Sequence, residues 1–242
     1  VIVQDPVAGV QACYLQRLYQ AETQVARRLL SLRDAPRQTG KNVDKIIAEM
    51  EARQGIAYAP QQRRAVELAA RSGVLLLTGG PGTGKTTTVN AILSLYEALY
   101  DRVALCAPTG RAAKRLSELT HHAASTIHRL LEVDYSSGNV RFIHNEKNLL
   151  KYDVIILDEM SMVDAKLFQA LLAAARYHCR IIMVGDADQL PSVGPGNILG
   201  EVLRADVVPT VRLTDIFRQA QQSLIVQNAH RIVEGQMPQK GG

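Results

Sequence analysis

Residues Gly79-Gly80-Pro81-Gly82-Thr83-Gly84-Lys85-Thr86 form a complete G-x-x-x-x-G-K-[ST] run. Its chemistry is phosphate binding. Closely spaced glycines let the backbone take conformations that other residues resist. Successive N–H groups then face inward at the positive end of the following helix and cradle phosphate oxygens. Lys85 supplies a point charge for β- and γ-phosphates, and the Thr86 hydroxyl is a hard oxygen suited to Mg²⁺. Gly80 to Thr87 (Gly80, Pro81, Gly82, Thr83, Gly84, Lys85, Thr86 and Thr87) are therefore the nucleotide-binding candidates. A plain glycine-rich turn would need neither the Lys-Thr pair nor the flanking apolar run and helix.

Other chemical clusters follow apolar runs. Val154-Ile155-Ile156-Leu157 ends in Asp158-Glu159, where Asp158 suits Mg²⁺ and Glu159 suits polarising an attacking water. Acidic pairs after strands are common; beside a phosphate loop this one gains meaning. Gln189, in the loop after Ile181–Val184, is a candidate sensor of the γ-phosphate. Ala107-Pro108-Thr109-Gly110-Arg111 sits where a helix begins, with Lys114 and Arg115 adding positive charge. Backbone N–H groups plus cations suit a nucleic-acid phosphate, although a solvated helix face reads the same way. The six histidines show no metal-ligand spacing; His121 and His122 are adjacent, which disfavours zinc.

These clusters need elements to hold them. Four short apolar runs, Val74–Leu77, Val103–Ala107, Val154–Leu157 and Ile181–Val184, alternate with helical stretches. That alternation indicates a parallel sheet covered on both faces, with its chemistry at the carboxyl ends of the strands. Residues 130–135 and 140–144 flank Ser136-Ser137-Gly138-Asn139 and read as an inserted β-hairpin over 130–146. At the N-terminus, Leu15, Leu18, Val25, Leu29 and Leu32 suggest an amphipathic helix from Val10 to Leu32. A second helix is expected from the cap Asn42 to Gly55, with Val43, Ile46, Ile47 and Met50 on one face. Residues 1–55 thus read as a small N-terminal helical unit, and Ser223–Glu234 as a last helix.

The 242 residues are 47% hydrophobic, enough for a sizeable core, and carry a net charge of +5. That charge permits a polyanionic partner without requiring one. The three cysteines, Cys13, Cys106 and Cys179, form no disulfide or metal pattern and fit a reducing cytosol, with Cys106 and Cys179 in the core. No apolar stretch is long enough to span a membrane. The expectation is a cytoplasmic protein with no membrane partner.

As an ordered set the motifs resemble the N-terminal motor domain of superfamily 1B DNA helicases of the RecD type, the exodeoxyribonuclease V alpha-chain family. The matching strings are Gln62–Val66, the phosphate loop, Ala107–Ala113, Ser125–Leu131, Asp158–Asp164, Gly185–Gly194 and Phe217–Ala220. They cover about the last three-quarters of the chain. The resemblance implies an α/β, RecA-like P-loop NTPase domain over 56–242, with ATP and Mg²⁺ as cofactors and 5′→3′ DNA unwinding as the activity. It implies that Gln62, rather than Gln61, reads the adenine edge. Gln189 and Arg218 would contact the γ-phosphate. Pro108, Thr109, Gly110, Arg111, Thr126 and His128 would hold single-stranded DNA, and the hairpin would serve as the pin at the duplex junction. Subunits of a nuclease–helicase complex are further partners it allows. Such helicases carry a second RecA-like domain with an arginine that contributes on the order of a thousandfold or more in rate. Its motifs are absent before Gly242, so the chain is expected to be a fragment with little turnover of its own. The helicase part of a conjugative relaxase shares much of this motif set. A non-catalytic ATP- or DNA-binding module is the reading from another class.

Overall fold

The computed structural model describes residues 2–7, 9–35, 42–99, 101–134, 141–215 and 224–239. The chain begins with an antiparallel hairpin, β1 (Ile2–Val7) and β2 (Val10–Leu15), closed by Gly9 at φ 81°. This corrects the helix expected from Val10. Residues 10–15 pair with 2–7 throughout, and the helix α1 starts only at Gln16 and runs to Asp34. Leu15 is left half exposed on the strand, while Ala21, Val25, Leu29 and Leu32 form the buried stripe.

Helix α2 (Val43–Gln54) is capped as its sequence indicates. Asn42 Oδ1 accepts from Lys45 N–H at 3.2 Å, and Gly55 ends the helix at φ 66°. Such a left-handed residue is cheapest as glycine. Helix α3 (Pro60–Arg71) opens with proline in its first turn, where the missing N–H costs nothing. Next come β3 (Val74–Gly79), α4 (Lys85–Leu99), β4 (Val103–Ala107), α5 (Gly110–Thr120), β5 (Ala124–Thr126) and α6 (Ile127–Leu131). After them the chain forms β6 (Val133–Asp134), β7 (Arg141–Phe142), β8 (Val154–Leu157), α7 (Ala165–Ala174), β9 (Arg180–Gly185), α8 (Ile198–Ala205), β10 (Thr210–Leu213) and α9 (Leu224–Val233).

Strands β10-β3-β9-β8-β4-β5, in that spatial order, make one six-stranded sheet, parallel at every pairing. Side chains alternate across it. Leu75, Leu77, Ile156, Ile182 and Val184 point into one apolar layer with α2, α3, α4 and Leu116 of α5. Val74, Leu76, Ile155, Leu157, Ile181 and Met183 point into the other, under α1, α6, α7 and α8. Cys106 and Cys179 are buried in that second layer. The four apolar runs are the inner strands; β5 and β10 at the two edges are additions.

The inserted hairpin is smaller than the sequence suggests. Val133 pairs with Phe142 and Asp134 with Arg141, while Leu130 and Leu131 belong to α6. Pairing continues through Ile143 N–H to Glu132 O and His144 N–H to Leu131 O. Its tip, residues 135–140, lies outside the described residues. Among the described residues no helix is long and apolar enough to cross a membrane.

Candidate functional site

A parallel sheet sends every strand's carboxyl end to one edge, so the ends of all six strands gather there. The loop after β3 wraps the start of α4, with Gly82 at φ 76° and Gly84 at φ 83°. At Gly79 a Cβ would lie 2.7 Å from the Leu213 carbonyl oxygen, so glycine is required where β3 passes β10. Thr83 donates to Gly80 O at 2.9 Å and pins the loop on itself. Lys85 Nζ donates to the carbonyls of Gly79 and Gly80, which holds the ammonium across the loop.

Residues 80–87 line a cleft of about 940 Å³ together with Asp158, Glu159, Gln189, Ala112, Arg115, Leu116, Leu119 and Val226. The phosphate-loop candidates and both carboxylates, more than a hundred sequence positions apart for Gly80 and Gln189, thus face one space. Burial pushes the Asp158 carboxyl above the usual carboxylate range, against a hydrogen bond from the Glu159 backbone and the charges of Lys85 and Arg115. Burial, then the Asp158 charge, raises Glu159 as well; Lys85 and Arg115 oppose and Asp186 adds to the rise. Glu159 also sits at φ 54°, a left-handed conformation unfavourable for a residue with a side chain, at the entry of the 3₁₀ turn Met160–Met162. Burial, and after it the charge of Asp158 at the end of the adjoining strand, raises the Cys106 thiol, so it stays protonated.

The remaining candidates fall elsewhere. Gln62 does not line the cleft. It is buried, its Oε1 accepts from Ala59 N–H at 3.1 Å as the cap of α3, and its Nε2 has no partner among the described residues. Gln61 instead holds Thr214, donating to its hydroxyl and accepting from its backbone N–H. Pro108, Thr109, Gly110 and Arg111 follow β4, and Thr126 ends β5, its immediate neighbour in the sheet. Both threonines are helix caps: Thr109 Oγ1 accepts from Ala112 N–H, and Thr126 Oγ1 from Arg129 N–H. His128 is exposed on α6 and packs its ring 5.8 Å from that of Phe142, tying α6 to the small hairpin. Arg218 lies outside the described residues.

Three groups at the site were not expected there. Arg115 faces the cleft rather than a separate basic surface. Asp186, 3% exposed at the end of β9, accepts from Asp188 N–H and bears on Glu159. His230 of α9 places Nε2 3.2 Å from Pro81 O. For Asp186 the signal was available, because it follows an apolar strand as Asp158 does. For His230 the sequence holds none, since the contact spans 149 positions.

Site and topology together define a P-loop nucleoside triphosphatase domain. The AAA domain family matches residues 62–195, and the chain belongs to that family, whose members use nucleotides. It is 40% identical over 233 residues to the ATP-dependent RecD2 DNA helicase of Deinococcus radiodurans, covering 96% of this chain and 32% of that protein. It is 38% identical over 213 residues to the RecBCD enzyme subunit RecD of Mycobacterium tuberculosis, covering 78% and 35%. RecD and RecD2 proteins are therefore its homologues, and the chain spans about a third of the length of the curated relatives it matches. The crystal structure of Pif1 helicase from Candida albicans superposes with a TM-score of 0.53 at 24% identity, over 76% of this chain and 45% of that one. The fold is the RecA-like α/β fold.

Proposed function

We propose that this chain is the ATP- and single-stranded-DNA-binding first motor domain of an ATP-dependent 5′→3′ DNA helicase of recombination or repair, acting in the cytoplasm. The observation that carries the reading is the shared cleft, where Lys85, Asp158, Glu159 and Gln189 face one another across the phosphate loop. Homology to proteins named as a DNA helicase and as RecBCD subunits supports the choice of reaction. In this reading residues 56–242 carry every candidate site residue, and of the N-terminal unit 1–55 the helices α1 and α2 pack on the two faces of the sheet.

The donor set fits Mg²⁺. The Thr86 hydroxyl and the Asp158 carboxyl line the same cleft, and among the described residues no cluster of three His, Cys, Asp or Glu builds an all-protein metal cage. Mg²⁺ is commonly held by one or two protein oxygens plus substrate phosphates, and would neutralise charge on them. Lys85 and the loop N–H groups bind and orient the phosphates. Glu159, raised by burial and by Asp158, is the group suited to hold a proton from the attacking water. Gln189 reports on the terminal phosphate. DNA phosphates are held beside β4 and β5, by the N-terminus of α5 and by Arg111.

The test is titration of the chain with a fluorescent ATP analogue and Mg²⁺, with and without Lys85→Ala. Saturable binding that the substitution weakens by about a hundredfold or more supports the reading. Equal affinity of the two proteins contradicts it.

A further inference from the structure

Helix α5 carries three cations near its start, and they do not share a face. Ala112, Arg115, Leu116 and Leu119 line the phosphate cleft, at helical steps of three and four, while Arg111 and Lys114 do not. Lys114 is engaged with Glu118. Arg115 is exposed and has no hydrogen bond or ion pair among the described residues. With Lys85 it is one of the two cations that line the cleft among the described residues.

Its side of the cleft is fixed by topology. Helix α5 follows β4, which pairs with β8, the strand that delivers Asp158 and Glu159. Helix α3, with Gln62, lies on the opposite side, beside β10 and β3. The Arg115 charge is felt at both carboxylates, which agrees with that placement. In a phosphate-loop site the carboxylate side is where the terminal phosphate lies, and the base lies away from it.

We propose that Arg115 is a contact to the terminal phosphate of the bound nucleotide, supplied by α5 from within the same domain. The guanidinium is a planar fork matched to phosphate oxygens, always charged, and free to reach into the cleft. The proposal rests on the ATP reading of the cleft and assigns to the nucleotide a cation that the sequence groups with DNA-binding ones.

The experiment compares affinities for a non-hydrolysable ATP analogue and for ADP, each with Mg²⁺, in the wild type, Arg115→Gln, Arg115→Lys and Lys85→Ala. Arg115→Gln is expected to weaken the triphosphate about tenfold and ADP less than about twofold. Arg115→Lys is expected to recover part of that discrimination, and Lys85→Ala to weaken both nucleotides. An unchanged triphosphate-to-diphosphate ratio in Arg115→Gln, with Lys85→Ala still impaired, overturns the Arg115 contact and leaves the ATP site standing. So does a loss confined to single-stranded DNA affinity. A wild type that binds neither nucleotide removes the ATP reading and Arg115's role with it. The residue is exposed on a helix, so neither substitution disturbs the core.

Discussion

The centre and the outer part of the sheet's carboxyl edge use the same geometry for different ends. At the centre, the loops after β3, β8 and β9 turn their side chains toward each other. Burial raises the Asp158 and Glu159 carboxyls, the Asp158 and Asp186 charges add to the rise at Glu159 against Lys85 and Arg115, and Glu159 is held in a left-handed conformation. At the outer part, after β4 and β5, Thr109 and Thr126 turn back on their own helices as caps. Arg111 and His128 there are exposed. The contrast teaches that convergence, rather than residue type, separates the proposed reaction site from the proposed gripping surface. The centre concentrates charge in a partly water-excluded cleft, whereas the edge leaves Arg111 exposed beside a helix N-terminus, the arrangement that the proposed grip on a long polyanion needs.

Substitutions can break that contrast in order of size. Glu159→Gln removes the proposed proton acceptor while keeping the shape. DNA-stimulated ATP turnover by the full product of the gene is expected to fall by about 10²–10⁴, with nucleotide affinity retained. Near-normal turnover would place the base elsewhere. Lys85→Ala is expected to cost about a hundredfold or more in nucleotide affinity and to leave single-stranded DNA affinity of the isolated chain alone. Thr109→Ala and Thr126→Ala should each remove about 1 kcal/mol of stability as lost caps, measured by denaturant unfolding, and weaken DNA without touching nucleotide affinity. A nucleotide defect in either would erase the distinction between the two regions.

The smallest effect is a pH dependence. The folded Asp158 and Glu159 carboxyls titrate above their unfolded values, because burial disfavours their charge. The unfolded chain then loses protons from these two groups first, so their contribution to stability is highest at low pH and falls as pH rises through the carboxylate range. Glu159→Gln should therefore melt a few degrees higher than the wild type at neutral pH. The gain should disappear below the carboxylate range, where both proteins are neutral at this position. A gain of the same size at every pH would point to packing instead of charge.

The inner strands were legible because each is a run of apolar residues buried on both faces, as in Val74-Leu75-Leu76-Leu77. The edges were not. Strand β5 is three residues, Ala124-Ser125-Thr126, with no apolar run, and β10, Thr210-Val211-Arg212-Leu213, alternates buried and less buried positions over four residues. The N-terminal hairpin was hidden because Leu15 falls at a helical step from Leu18 although it lies on a strand. In the site, the phosphate loop is contiguous and so was readable from its letters. The pairing of Arg115 with the cleft depends on how α5 is rotated against the sheet, which the burial of Ala113, Leu116 and Thr120 fixes. Gln62 was singled out by the family resemblance, and its hydrogen bond from Ala59 N–H at the start of α3 follows from the turn there.

Amide hydrogen exchange tests the division of the edge most directly. The account predicts two separable footprints: the ATP analogue with Mg²⁺ protects residues 80–88 and 158–160, and single-stranded DNA protects residues 109–112 and 126–129. Protection of the phosphate loop by DNA alone, or a nucleotide footprint confined to the ends of β4 and β5, would contradict it.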